Sequence, residues 1–435
     1  IPYIKTLRDV NRVINTFQFR YKILFEETSF EDMVALTTIE VLEPQLYQWI
    51  GRNRQLLCSK SRLSLSDILR DKADYRKSIC EELKKIGINT DIGIKFLSTI
   101  FPVFADDIGE RNYSYPERKI RGTMRVAQEE RFDSYFIFDL DGLPVSRYII
   151  NNCINKLEFN DLKSIITKIN NEGKLEYFID ELQSLVDTIP YERLALLATV
   201  LLYEQHKFPN DRSFYMFPTD DKAESLVYDI LDRINNENER YYLIKNVLDN
   251  INKEQLGTIA EYINKIKLSH RRLAENDANK EKQFISLEHL KDIEVIYVTK
   301  INEIAQSQSI LDVRKFLIAF DLWESFDKDR ARAYLKNILR DNINVLKYIC
   351  AIAYDGISSD GDICWYFPSD KYLTYISKEI IYKIVQEFDK QQLDDIFTLE
   401  DQIKLASFVL NYESSNHHKV SEEEAMKLVN DWINQ

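Results

Sequence analysis

Glycine and proline are scarce in this chain, 10 and 9 among 435 residues. That scarcity excludes an architecture of many short strands and tight turns and favours long helices. Cysteine is scarcer still. Cys58, Cys80, Cys153, Cys350 and Cys364 are scattered, odd in number and never spaced C-x-x-C. This excludes a disulfide framework and a thiolate zinc site, and fits a reducing cytoplasm. His417 and His418 are adjacent, so on a helix they would diverge by about 100° instead of meeting at one metal; no metal site is predicted. The longest apolar run, Leu194 to Tyr203, is too short to cross a bilayer, which takes about 20 residues. No G-x-x-x-x-G-K-[ST] is present, so no phosphate-cradling loop. No Ser-His-Asp or Cys-His pairing can be argued from spacing.

What is present is the material of packed amphipathic helices. The chain is 45% hydrophobic and 12% aromatic, enough for a sizeable core. Its charge is uneven. Residues 1–150 carry 23 Lys and Arg against 22 Asp and Glu, and the rest carries 35 against 49. An acidic surface of that kind argues against broad nucleic-acid contact.

The clearest stretch is Thr6 to Tyr21. Thr6 with Asp9 three residues on has capping-box spacing, so a helix begins here. Val10, Val13, Ile14, Phe17, Tyr21 and Leu24 recur at helical intervals and predict its apolar face, with Arg8, Arg12 and Asn15 on another. Two guanidinium groups in the first turns of a helix suit a phosphate, because the helix N-terminus is partly positive and Arg matches phosphate oxygens in pairs. The same arginines can equally be solvated surface charges.

Thr6-x-Arg8-Asp9-x-x-Arg12-x-x-Asn15 resembles the segment after the last core strand of the KAP family of P-loop NTPases. Phe30–Leu36, Glu43–Ile50, Phe101-Pro102 and Arg131-Phe132-Asp133-Ser134-Tyr135-Phe136 are similar to later segments of that family. The resemblance covers about residues 1–145. It implies that the chain is the C-terminal helical part of a larger protein whose NTPase core is not included here. Arg8, Arg12 and Asn15 are then nucleotide-sensing residues, and ATP and Mg²⁺ are ligands of the whole protein and not of this chain alone. It also implies an antiviral-defence role, with its own NTPase core, further copies of itself or a defence-system protein as partners.

The predicted fold class is all-α with a few short extended segments. Expected divisions are a helical region over 1–145, a helical domain over 146–268 and another over 286–435, with the polar stretch 269–285 as linker. One helix is expected from Asp91 to about Phe104, and others over 254–268 and 310–325. Extended segments, with room for a small hairpin, are expected within 106–145. Phe138-Asp139-Leu140-Asp141-Gly142 has the D-x-D-G pattern of haloacid-dehalogenase phosphatases, with Asp139 as nucleophile and Asp141 as general acid. The chain downstream lacks the strand–helix alternation that such chemistry needs. Trp365, Tyr366 and Phe367, read as part of a loop with Gly361 and flanking aspartates, are candidates for partner recognition. A plain helical interaction scaffold, in which the arginines have no nucleotide role, is the competing function.

Overall fold

The computed structural model describes residues 3–58, 72–110, 123–136, 145–210, 218–275, 284–357, 363–368, 373, 375–414 and 420–433. Among these residues the chain is helical apart from one two-stranded antiparallel sheet. It forms two compact units, Ile1–Pro190 and Tyr191–Gln435. The sequence divisions at 145 and at 269–285 differ from this one.

The N-terminal unit contains α1 (Leu7–Leu24), α2 (Phe30–Leu42), α3 (Pro44–Arg52), α4 (Arg54–Cys58), α5 (Lys72–Lys85), α6 (Thr90–Ile100), α7 (Pro102–Asp107), α8 (Glu129–Phe132), α9 (Arg147–Asn155), α10 (Phe159–Asn171) and α11 (Leu175–Leu185). Local chemistry sets most of their ends. Thr6 and Asp9 form the reciprocal capping box at α1, and the Ser29 side chain caps α2. Pro44 and Pro102 each stand at the start of a helix, where the missing N–H is harmless. Pro102 also splits the single helix expected over 91–104. It drives Phe101 into extended geometry, φ −113° and ψ 92°, and the chain restarts as α7. Leu36, Leu46, Ile50, Leu97, Phe101, Phe104 and Phe132 are fully buried and centre the core of this unit.

Extended segments were expected within 106–145, and the described residues 123–136 of that range form none. Arg131, Phe132, Ser134 and Tyr135 are buried, a helical and not an alternating pattern, and they lie in α8 and the 3-10 turn Asp133–Tyr135. The Tyr135 hydroxyl donates to the Met124 carbonyl at 2.6 Å and accepts from the Ser29 amide at 2.6 Å. Asn112–Pro116, Asp139 and Asp141 lie outside the described residues, as do His417 and His418.

A buried charge network makes 146–190 part of this unit. Arg131 donates to Glu27 at 3.1 Å and to Glu181 at 2.6 Å; Arg147 donates to Glu181 at 2.9 Å, and its backbone amide to Glu27 at 2.6 Å. All four residues are buried. Burial pushes the Glu27 carboxyl above its usual range, although Arg131 and the Arg147 amide oppose it. Burial works against the Arg131 charge too, but the Glu181 and Glu27 carboxylates outweigh it and hold its pKa up.

The C-terminal unit contains α12 (Tyr191–Glu204), α13 (Thr219–Arg233), α14 (Glu237–Asn250), α15 (Leu256–Glu275), α16 (Leu287–Ser307), α17 (Phe316–Phe326), α18 (Lys328–Ile338), α19 (Asn342–Ile352), β1 (Tyr354–Ile357), β2 (Ile363–Tyr366), α20 (Lys378–Glu387), α21 (Leu393–Ile396), α22 (Leu399–Glu413) and α23 (Glu422–Ile433). α12 packs on α13, α15 on α17, α16 on α14, and α22 on α19 and α23. α15 runs on through Ser269 to Glu275, inside the stretch read as linker; 276–283 lie outside the described residues.

Among the described residues no helix is long and apolar enough to cross a membrane, and no group of three or more His, Cys, Asp or Glu could hold a metal ion.

The charge network yields a test. Glu181→Gln leaves the buried Arg131 guanidinium with Glu27 alone and takes from the buried Arg147 guanidinium its ion pair, and breaking a buried ion pair costs about 3–5 kcal/mol. Chemical denaturation should show a loss of that size. A loss below about 1 kcal/mol, the range of a surface pair, would mean that the network does not hold 146–190 in place.

Candidate functional site

Two sites were expected from sequence, one in each unit. The first is the exposed side of α1. Arg8, Arg12 and Asn15 are all exposed, together on the solvent face. The Arg12 Nη2 donates to the Val41 carbonyl of α2 at 3.2 Å. Arg8 and Asn15 have no partner among the described residues. Asp9 is committed to the cap, where hydrogen bonding with Thr6 holds its carboxyl below the usual range.

The opposite face of α1 is the expected one at Val13, Leu24 and the partly buried Phe17 and Tyr21, and departs from it at Ile14 and Arg20. Val13, Arg20 and Leu24 are its buried residues, and Ile14 is 45% exposed. Arg20 is pinned inside, donating to Glu40, to the Tyr47 hydroxyl at 2.9 Å and to the Tyr135 carbonyl. Sequence reading missed it because an arginine counts as solvent-facing. The available signal was its place seven residues after Val13 and four before Leu24, on the buried stripe. Phe19 is 66% exposed and Leu7 76%, so apolar and basic groups share the outer surface of α1.

The second site is built around Trp365. The expected loop is a strand. β2 pairs with β1 in the register Tyr354↔Tyr366, Asp355↔Trp365, Gly356↔Cys364 and Ile357↔Ile363. The Tyr354 and Tyr366 rings stack at 5.6 Å. Gly356 makes that possible, since a Cβ there would lie 2.8 Å from the Tyr366 ring. Cys364, opposite it, is buried and bridges to Ser421. Phe367 packs edge-on against Phe408 of α22. The three aromatics therefore have different roles: Trp365 lines a cleft, Tyr366 covers the hairpin and Phe367 anchors it.

The cleft has a volume of about 1000 Å³. Its walls are the hairpin, α19, α22 and the turn before α17. Lys404 of α22 lies over the Trp365 ring, 4.6 Å from its centroid, and pairs with Glu400 at 2.5 Å. The Trp365 indole nitrogen is buried without a hydrogen-bond acceptor among the described residues.

The turn at 310–315 replaces the first part of the helix expected over 310–325. Arg314 donates to the Phe208 carbonyl at 2.5 Å and to Asp220 at 2.9 Å. Lys315, in the left-handed region at φ 59°, pairs with Asp220 at 3.1 Å and with Glu261. Burial opposes the Lys315 charge, yet Glu261 and Asp220 hold its pKa above the usual value. Holding both cations on buried Asp220 forces the backbone out of helix, an instance of tertiary contacts overriding local propensity.

Gly257 completes the arrangement. A Cβ on it would lie 1.9 Å from the Arg314 carbonyl oxygen. Gly257→Ala must push the turn off α15, and overpacking of this kind costs about 1–3 kcal/mol. A lowered melting temperature of the chain is expected; an unchanged one would show that the turn floats.

No protein-family model, no curated protein and no solved structure matches this chain.

Proposed function

We propose that this chain is the helical regulatory part of a KAP-type P-loop NTPase, coupling the state of a nucleotide held by a separate core to recognition of a trigger or partner. The observation that carries this reading is the construction of α1. One face is locked by a buried arginine, while Arg8, Arg12 and Asn15 stand exposed on another. A helix held in that way can present guanidinium groups to a phosphate without disturbing its own core.

In this reading ATP and Mg²⁺ belong to the core, and this chain supplies the arginines that complete the site and sense its state. The C-terminal unit supplies recognition through the cleft beside Trp365. The setting is the cytoplasm and the process antiviral defence, with partners among the chain's own core, other copies of itself and a defence-system protein.

A helical interaction scaffold is the second reading, favoured by the bond from Arg12 to Val41, which shows that one candidate arginine already has a use within the fold. Phosphatase chemistry at Asp139 and Asp141 finds no support. It needs a parallel sheet, and the described residues of the N-terminal unit contain no strand.

The test uses the chain joined to its proposed core. Arg12→Ala should lower ATP turnover by about an order of magnitude or more, the scale of arginines that stabilise transferring phosphoryl charge. The melting temperature should change little, because Arg12 is exposed. Arg8→Ala, which breaks no contact among the described residues, separates a nucleotide role from loss of the bond to Val41. Normal turnover in both variants would leave the scaffold.

A further inference from the structure

We infer that the cleft beside the hairpin binds a ligand that joins a flat apolar body to one anionic group, a carboxylate or a phosphate. This deepens the recognition role placed at Trp365 and does not depend on the nucleotide role of α1.

Size sets the class of ligand. A volume of about 1000 Å³ is the upper end of small-molecule sites, which span about 300–1,000 Å³. Such sites combine apolar walls with a few polar groups that have no partner until the ligand arrives. The apolar wall here is the Trp365 indole, steadied by Lys404 above it. Its buried N–H lacks an acceptor among the described residues, a costly condition that an incoming oxygen would relieve.

The sign of the ligand follows from which charged groups in the cleft already have a partner. Arg314 and Lys315 are held on Asp220, and Lys404 on Glu400. Lys347 of α19 also lines the cleft, is half-buried, and has neither an ion pair nor a hydrogen bond among the described residues. Of the acids, Asp312 is held by Lys253 at 2.7 Å, Asp401 is part of the capping box at Thr398, and Asp355 is engaged. Glu422 has no such partner, but it stands in the first turn of α23, where the helix end favours a negative charge. The open electrostatic demand is therefore for an anion at Lys347, and the open hydrogen-bond demand is for an acceptor at Trp365. One ligand oxygen-bearing group, or two on one body, meets both.

Calorimetric titration of the 435-residue chain with 1-naphthylacetate, 1-naphthyl phosphate and neutral 1-naphthylacetamide tests this. Saturable binding of at least one anion is expected, about tenfold or more tighter than the amide, as for a charge-assisted contact in a partly buried site. The stronger of the two anions identifies the carboxylate or the phosphate as the preferred group. Lys347→Gln should remove the preference for charge and leave the melting temperature unchanged, since Lys347 has no partner to lose. Equal affinity for anion and amide, indifference to Lys347→Gln, or no binding at millimolar concentration would overturn the inference. Binding abolished by Trp365→Phe but indifferent to Lys347→Gln would keep recognition at Trp365 while sinking the anion requirement. ATP turnover of the Arg12 variant reads the nucleotide role separately.

Discussion

Four charged side chains in the interior of the N-terminal unit decide what that unit contains. Glu27, Arg131, Glu181 and Arg147 come from four segments of the chain and neutralise one another out of contact with water. Desolvating such groups is expensive, and the expense is recovered only when every partner is in place. A fold that commits to this arrangement cannot release α9 or α11 without stranding a charge. The region that the sequence reading divides near residue 145 is bound across that point for this reason.

Arg20 extends the same logic to α1. Its Nη1 donates to Glu40 of α2 and the Tyr47 hydroxyl of α3, and its Nη2 to the Tyr135 carbonyl, so one guanidinium joins α1 to three other segments. The segment Arg131–Tyr135 owes much of its pattern to these needs. Arg131 belongs to the ion network, Phe132 to the core, and Tyr135 ties α2 to the loop at Met124. Arg8 and Asn15 have no comparable structural use among the described residues, and that contrast is what makes them functional candidates.

In the C-terminal unit a second group of charges shapes the cleft. Asp220 gathers Arg314 and Lys315, and the turn that carries them forms one wall. Gly257 lets that turn approach α15 more closely than any side chain would allow. Opposite it, the hairpin presents Trp365 while Gly356 and Cys364 face the other way. The cleft thus depends on two glycines and a buried acid, none of which lines it.

The helices themselves were legible in the sequence because their causes are local. Capping residues such as Thr6, Ser29, Ser286 and Thr398 act over three residues, and apolar spacing acts over one turn. The range 399–413 and the start of α1 at Leu7 follow from such signals alone. What only the tertiary structure decided involves partners far apart in the chain. Arg131 meets Glu181 across 50 residues and Arg147 meets Glu27 across 120. Spacing can set an arginine on a buried stripe, as it does Arg20, but burial is tolerated only when a distant carboxylate arrives to meet it. The hairpin escaped for a related reason. Its strands are four residues each, too short for alternation to show, and what fixes them is the Tyr354–Tyr366 stack, the gap at Gly356 and the bridge to Ser421. Sequence determined that this protein is made of helices and where most of them begin; packing determined which charges went inside, and so where a cleft was left.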